Sequence, residues 1–193
     1  MKKFELTNEF ITNMFGTKLF RIRALVEFGD VEAGELGGYV EKESNLGHDD
    51  NAWVYDNAWV YGNARVYGDA LVYDNARVYD NAWVYGDAQV SGDALVYGNA
   101  RVYGNALVCG DARVCGDARV CGNGDYAYAH GFGSVNRTTT FFRLKDGGVG
   151  VRCGCFYGTL AQFRDKIRET HGETKKAQEY LMLADLMKLR FEK

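Results

Sequence analysis

An apolar residue returns at every sixth position along the middle of the chain. Twelve valines follow one another at this spacing, and an alanine lies two residues before each of them. The valines are Val54, Val60, Val66, Val72, Val78, Val84, Val90, Val96, Val102, Val108, Val114 and Val120. A period of six fits neither an α-helix nor a long alternating strand, and it predicts short strands separated by tight corners. Three such units close one triangular coil.

The same pattern specifies the inside of the coil. We expect each valine to point inward and each alanine to fit a crowded corner, while backbone groups pair along the axis. The chain contains no proline, so glycine, asparagine and aspartate, which adopt left-handed backbone conformations most readily, are expected at the corners. Stacked strands with an open end would pair with other chains, so each end requires a cap.

Residues 1–50 are predicted to form the N-terminal cap. Alternating apolar positions that start at Leu19 favour one or two hairpin strands, and the glycine-rich segment GELGG is interpreted as a turn. Val40 and Leu46 are again six residues apart, so they are expected to begin an irregular first coil. The regular coil then occupies residues 51–123.

Residues 124–193 are predicted to form a cap of two strands and two helices. Two β-rich runs flank the sequence KDGG, which is a strong turn signal. Thr159 and Gln162 have capping-box spacing, so a helix is expected there, ending at His171 and Gly172. Apolar residues nearly encircle the second helix, which predicts that it is buried against the hairpin, the coil or another subunit.

The unit VYGNAR and its relatives resemble the repeats of the hexapeptide-repeat family. The resemblance implies a left-handed parallel β-helix with 18 residues per coil, so that residues 51–123 supply four coils. The expected fold class is therefore mainly β, with a C-terminal β-hairpin and a two-helix cap. Such proteins are typically trimers, and they include acyltransferases, carbonic anhydrases and structural proteins, so the fold alone defines no activity.

The flanking segments also resemble small hexapeptide-repeat proteins of bacteriophages and prophages, often described only as polymer-forming or transferase-like. The similarity lies in LFRIRALVEFGDVEAGELGGYVEKESNL before the repeat and GCFYGTLAQF after it. It implies a setting, the cytoplasm of an infected bacterium. The five cysteines have no paired spacing, which is typical of free thiols in a reducing compartment.

Residues 18 positions apart share an outer face of the coil, and one such face carries no charge. An uncharged aromatic face several coils tall exceeds what a monomer normally exposes, which predicts contact with another subunit of a homotrimer. The residues predicted to make this contact are Trp53, Tyr55, Leu71, Tyr73 and Leu107. The alternative is that stacked tyrosines merely shield the sheet.

Another outer face combines arginine with aromatic rings. The residues predicted to bind a ligand there are Arg65, Arg101, Arg119, Trp83, Tyr67, Tyr85 and Tyr103. Arginine holds anions and aromatic rings stack on flat ones, so the expected ligand is a small anion of nucleotide type. The alternative is that the arginines pair with corner aspartates such as Asp69, Asp87 and Asp117. The remaining face is mixed.

No catalytic residue is predicted. Acyltransferases of the hexapeptide-repeat family use a histidine as general base, and its carbonic anhydrases use three to hold a metal. No histidine lies between Asp49 and Ala129, and no loop interrupts the repeat. His48, His130 and His171 lie outside it, where a lone histidine is more often structural than catalytic.

No metal, cofactor, nucleic acid or membrane is predicted as a partner. Cys153 and Cys155 with a histidine could hold zinc, but Cys-x-Cys in a strand more simply places two small residues on one face. The net charge is −3, and the basic residues of the C-terminal part are scattered, as on a solvated surface. No apolar run approaches the roughly 20 residues of a membrane-spanning helix.

Together these patterns predict a trimeric, non-catalytic β-helix in the bacterial cytoplasm, which binds a nucleotide-like signalling molecule and thereby sequesters it. Two alternatives stay open. One is a hexapeptide-repeat acyltransferase that acts on a nucleotide sugar or another acceptor, and the other is a structural or protein-binding scaffold.

Overall fold

The computed structural model describes residues 2–133 and 137–192 of the 193-residue chain. The described chain is mainly β and consists of a β-solenoid of stacked coils, an antiparallel sheet that follows it, and two C-terminal helices. The predicted fold class is therefore confirmed. The left-handed sense of the coil stays a prediction.

Each valine of the repeat lies in its own two-residue strand. The strands, all within fully described sequence, are β4 (Trp53–Val54), β5 (Trp59–Val60), β6 (Arg65–Val66), β7 (Leu71–Val72), β8 (Arg77–Val78), β9 (Trp83–Val84), β10 (Gln89–Val90), β11 (Leu95–Val96), β12 (Arg101–Val102), β13 (Leu107–Val108), β14 (Arg113–Val114) and β15 (Arg119–Val120). Each residue of strands β4 to β12 pairs in parallel with the residue 18 positions later, so Val84 lies between Val66 and Val102. The repeat valines and alanines are 0% exposed, which confirms their inward placement.

The corners of the coil explain the alternation of glycine and aspartate. Gly68 has a φ of 72°, and a Cβ there would lie 2.9 Å from the backbone nitrogen of Gly86 in the next coil. Asp74 adopts a φ of 59°, and its carboxylate accepts a hydrogen bond from the backbone N–H of Gly92 at 2.9 Å. Aspartate thus tolerates the left-handed conformation where its side chain can bind the neighbouring coil.

The N-terminal cap is an antiparallel sheet that runs into the coil. It comprises β1 (Phe4–Thr12), β2 (Lys18–Ala24) and β3 (Leu36–Val40), and β3 pairs in parallel with β5. A short 3-10 turn at Glu43–Asn45 follows, and Leu46 then bridges to Val66. Three strands and the Leu46 bridge therefore precede the first regular coil.

The glycine-rich segment GELGG is the predicted turn only at its start, where Gly34, with a φ of 92°, lies between β2 and β3. Gly37 and Gly38 lie inside strand β3, not at a chain reversal. A Cβ on Gly37 would lie 2.5 Å from the carbonyl oxygen of Val54, and one on Gly38 would lie 2.7 Å from that of Ala58. Glycine is needed here because the strand passes so close to the backbone of the first regular coil.

The C-terminal part is larger than the predicted hairpin. The expected strands are β17 (Arg137–Arg143) and β18 (Val149–Cys153), and they are flanked by β16 (Tyr126–Phe132) and β19 (Phe156–Thr159) in one antiparallel sheet. The first predicted helix is α1 (Leu160–His171), which begins with the expected capping box of Thr159 and Gln162.

The second predicted helix is α2 (Lys175–Phe191), which packs on α1 and the sheet through one face. Ala177, Tyr180 and Ala184 are buried on that face. Met182 and Leu189 on the other face are 72% and 70% exposed. Within this chain the helix is therefore buried on one side, and not around its whole circumference as its sequence predicts.

Candidate ligand-binding face

The outward residues of one sheet of the coil form a continuous row. Parallel pairing places Arg65 beside Trp83, Trp83 beside Arg101, and Arg101 beside Arg119. The guanidinium carbon of Arg101 lies 4.6 Å from the centroid of the Trp83 ring, and that of Arg65 lies 5.8 Å from it. Two cations therefore flank one indole ring along the axis of the coil, at distances typical of cation–π contacts.

Three tyrosines run beside this row. Tyr67 and Tyr85 stack at 5.0 Å between centroids and 1° between planes, and Tyr85 and Tyr103 stack at 5.1 Å and 6°. Tyr67 also meets the Trp83 ring edge-on at 6.1 Å. Burial raises the pKa of the Tyr67 and Tyr103 hydroxyls, so both stay neutral hydrogen-bond donors near pH 7. We call this surface, with the four residues of the row, the Arg/Trp/Tyr face.

The arginines of the Arg/Trp/Tyr face differ in how they are held. Arg119 donates hydrogen bonds to the backbone oxygens of Asn99 at 3.0 Å and Ala118 at 2.8 Å. Among residues 2–133 and 137–192, no carboxylate lies within 4.0 Å of a guanidinium nitrogen of Arg65, Arg101 or Arg119. The alternative in which they form ion pairs with corner aspartates is thus absent from the described chain.

An open cleft of about 340 Å³ lies at the N-terminal end of this face. Its walls are Arg65, Tyr67 and Trp83 on one side and Ser44, Leu46 and Gly47 on the other. The second wall was not predicted as part of the site. The only sequence signal for it is the six-residue spacing of Val40 and Leu46, which places the irregular first coil directly above strand β6.

The mixed face repeats much of this arrangement. The guanidinium carbon of Arg77 lies 4.2 Å from the centroid of the Trp59 ring, and Tyr61, Tyr79 and Tyr97 stack with centroids 5.0 Å apart. Burial raises the pKa of Tyr79 to about 12. An arginine beside a tryptophan is therefore not peculiar to the predicted site, and the mixed face provides matched control positions.

The uncharged face is partly covered by the chain itself. Trp53 is 0% exposed, because the rings of Phe4 and Phe28 meet it edge-on at 6.2 and 5.3 Å. The sequence predicted Trp53 as an outward contact residue, but the N-terminal cap covers it. The other residues of this face are more accessible: Tyr55, Leu71 and Tyr73 are half-buried, and Leu107 is 43% exposed. The surface available to another subunit therefore begins on the C-terminal side of Trp53.

Two of the three histidines make packing contacts, and the third, His130, lines a cleft beside the coil. The His48 ring stacks on Phe4 at 4.5 Å, and its Nδ1 accepts a hydrogen bond from the backbone of Lys3 at 3.3 Å. His171 stacks on Tyr180 at 5.8 Å. His130 belongs to a separate cleft. The contacts of His48 and His171 are those of packing residues.

The cysteine pair considered for zinc is divided between two elements. Cys153 ends strand β18, where its sulfur accepts a hydrogen bond from the Thr139 hydroxyl at 3.1 Å, while Cys155 lies in the turn before β19. The described residues contain no group of three or more metal-ligating side chains placed to hold an ion.

Comparison with known proteins identifies the coil and nothing beyond it. The family described as YdcK beta solenoid repeat matches residues 58–73, 70–86, 88–104, 96–110 and 100–116. These stretches cover less than a third of the chain, so the similarity concerns the repeat alone. No curated protein matches the chain. In the described part, no helix has both the length and the apolar character needed to cross a membrane.

Proposed function

We propose that the protein is a non-catalytic binding protein that holds a small anionic, nucleotide-like ligand on the Arg/Trp/Tyr face. One observation carries the proposal: Arg65 and Arg101 flank the Trp83 ring, and neither has a carboxylate partner in the described chain. A phosphate would supply the missing negative charge, and a nucleobase would stack on the indole or on a tyrosine.

The same geometry gives each group a role in binding. Arginine side chains are long and rotate easily, so the Arg101 guanidinium can leave the indole face for a phosphate while a base takes its place. The tyrosines at 5.0 Å spacing are too close for a base to insert between them, so they form the wall beside it. Ser44 across the cleft adds a hydroxyl for the sugar.

The setting of the proposal comes from the resemblance to small phage and prophage proteins. In the cytoplasm of a bacterial host, a protein that binds a signalling nucleotide without converting it would lower the free concentration of that nucleotide. The acyltransferase alternative requires a general base beside the coil. His48 is packed on Phe4, whereas His130 lies 3.7 Å from Asp111 of the coil, so a turnover assay of His130→Ala tests this alternative. The scaffold alternative requires no ligand, so a measurement of ligand binding distinguishes it from the proposal.

Substitutions in the Arg/Trp/Tyr face are expected to weaken nucleotide binding. Arg65→Ala or Arg101→Ala removes a charge-assisted hydrogen bond of about 1.5–3 kcal/mol, so the affinity for a fluorescent ATP analogue should fall about 10- to 150-fold. Trp83→Ala should cost about 1–3 kcal/mol through lost stacking. Fluorescence anisotropy measures both effects.

The matched controls lie on the mixed face. Arg77→Ala and Trp59→Ala remove the same kind of arginine–tryptophan contact and should leave nucleotide affinity unchanged. The bound compound should be recovered chemically intact after denaturation. Wild-type affinity in the triple variant Arg65→Ala, Arg101→Ala, Arg119→Ala, or recovery of a modified compound, would reject the proposal in favour of the scaffold or the enzyme.

The proposal includes a homotrimer held by what remains of the uncharged face. Leu107→Asp, which charges the exposed part of that face, should convert a trimer at micromolar concentration into monomers, as measured by light scattering. Leu95→Asp places the same charge at the equivalent strand position of the mixed face and should leave the trimer intact. A monomeric wild-type protein with intact β-structure would contradict the assembly.

A further inference from the structure

A second cleft lies where the coil meets the C-terminal sheet. Its volume is about 550 Å³, and it gathers three arginines from three different strands: Arg113 of β14, Arg137 of β17 and Arg152 of β18. The other side chains that line it are Asp93, Asp111, His130, Thr138 and Cys155. We call it the junction cleft. It shares no residue with the Arg/Trp/Tyr face.

The fold brings the three arginines to the cleft in different ways. The backbone N–H of Arg113 donates to the buried hydroxyl of Thr140 at 2.9 Å, which ties the coil to the sheet. Gly154 has a φ of 57°, and a Cβ there would overlap the Arg137 guanidinium, so glycine makes room for it. The guanidinium of Arg152 reaches the Cys155 carbonyl at 3.4 Å, while its buried Nε has no hydrogen-bond partner in the described chain.

The charges of the junction cleft do not cancel. Three guanidinium groups face two carboxylates, and Asp111 lies nearest to His130, with 3.7 Å between its Oδ2 and the ring Nδ1. That same nitrogen is 2.8 Å from the Thr138 hydroxyl. Within the described residues, no carboxylate lies within 4.0 Å of Arg113, Arg137 or Arg152. Three such guanidiniums around one cleft supply the positive charge and the hydrogen-bond donors that a phosphate requires.

An apolar cavity adjoins the junction cleft. It has a volume of about 340 Å³ between the sheet and helix α1. Its apolar wall is formed by Phe156, Phe163 and Ile167, and polar side chains at its border include Lys166, Thr170 and His171. The two spaces share the side chains of Arg137 and Cys155. A single ligand that places an anion in the first space can therefore place a flat apolar group in the second.

We propose that the junction cleft and its adjoining cavity form a binding site for a phosphate ester of a flat, apolar group. The phosphate contacts Arg113, Arg137 and Arg152, and the apolar group packs against Phe156 and Phe163. Two sources share this chemistry, a nucleotide and a smaller aromatic phosphate. The site is independent of the proposed function, because the two surfaces have no residue in common.

The test compares three probes on the full chain by NMR titration. Phenyl phosphate should bind more tightly than inorganic phosphate or phenol, because it alone occupies both spaces. Arg137→Ala and Arg152→Ala should each weaken phenyl phosphate binding about 10- to 150-fold. Phe156→Leu should weaken binding of phenyl phosphate but not that of inorganic phosphate. Adenosine monophosphate, titrated against the double variant Arg65→Ala, Arg101→Ala so that the Arg/Trp/Tyr face does not contribute, distinguishes the sources, since a nucleotide site prefers it to phenyl phosphate.

The control is the double variant Arg65→Ala, Arg101→Ala, which should bind phenyl phosphate as the wild type does. Loss of binding in this control, together with unchanged binding in Arg137→Ala, would place the ligand on the Arg/Trp/Tyr face and overturn the junction site. Equal affinity for phenyl phosphate and inorganic phosphate would overturn the role of the apolar cavity. A wild-type protein that binds none of the probes overturns the whole proposal.

Discussion

Replacement of Val84 by aspartate is expected to lower the free energy of unfolding by several kcal/mol. Val84 is 0% exposed and lies in a parallel ladder between Val66 and Val102, where no polar group can reach an inward side chain. A carboxylate at this position would be buried without a partner, which is among the most destabilising changes a protein core can receive. Circular dichroism during thermal and urea denaturation measures the loss.

The control for this change is the adjacent residue. Tyr85→Asp introduces the same charge one position later, on the outside of the coil, and should destabilise far less. If Val84→Asp does not fold, Val84→Thr keeps the measurement possible, since a buried hydroxyl without an acceptor should cost about 1–3 kcal/mol. Equal stabilities of Val84→Asp and the wild type would show that the assigned register of the coil is wrong.

Replacement of Trp53 by alanine is expected to cost about 3–5 kcal/mol, the range typical of a fully buried tryptophan. The ring of Trp53 fills the space between Phe4, Phe28 and the first coil, so its removal leaves a cavity under the N-terminal cap. Urea denaturation, with the protein concentration held constant, measures the change.

Trp59→Ala is the matched control, because Trp59 occupies the same position of the repeat on a neighbouring sheet and is only half-buried beneath Arg77. It should cost much less. A Trp53→Ala variant with wild-type stability but a lower subunit number would contradict the packing seen here. It would support the subunit contact that the sequence predicts for Trp53.

The coil could be predicted residue by residue, because the period of six determines which residues point inward. Valine and alanine recur without exception, so the register, the corners and the outer rows all follow from one repeat. The two strands that extend the sheet on either side of the C-terminal hairpin were missed because no repeat fixes their positions. Strands β16 and β19 have seven and four residues. The turn sequence GNGD precedes β16, but no turn signal as clear as KDGG joins either strand to the hairpin.

The candidate sites were predictable only where they depend on the repeat. The row Arg65, Trp83 and Arg101 follows from the 18-residue spacing. Trp53 has the same local sequence, NAWVY, as Trp59, so only the tertiary contact with the N-terminal cap distinguishes the two. The cluster of arginines in the junction cleft could not be predicted from the sequence either, because three separate strands bring them together without any common spacing.

Because the register of the coil is 18 residues, an insertion can change two properties independently. One is the length of the coil, and the other is the rotation of the C-terminal sheet relative to the N-terminal cap. Insertion of one whole coil would lengthen the molecule and return the C-terminal sheet to the face it occupies now. Insertion of a single six-residue unit would turn that sheet by one face. The junction cleft would stay intact after an insertion before Asp93, because Arg113 and the C-terminal sheet would turn together. Nearly identical repeats favour gain and loss of units by recombination, and only changes in multiples of three units would keep the N-terminal cap and the C-terminal sheet on the same faces relative to each other.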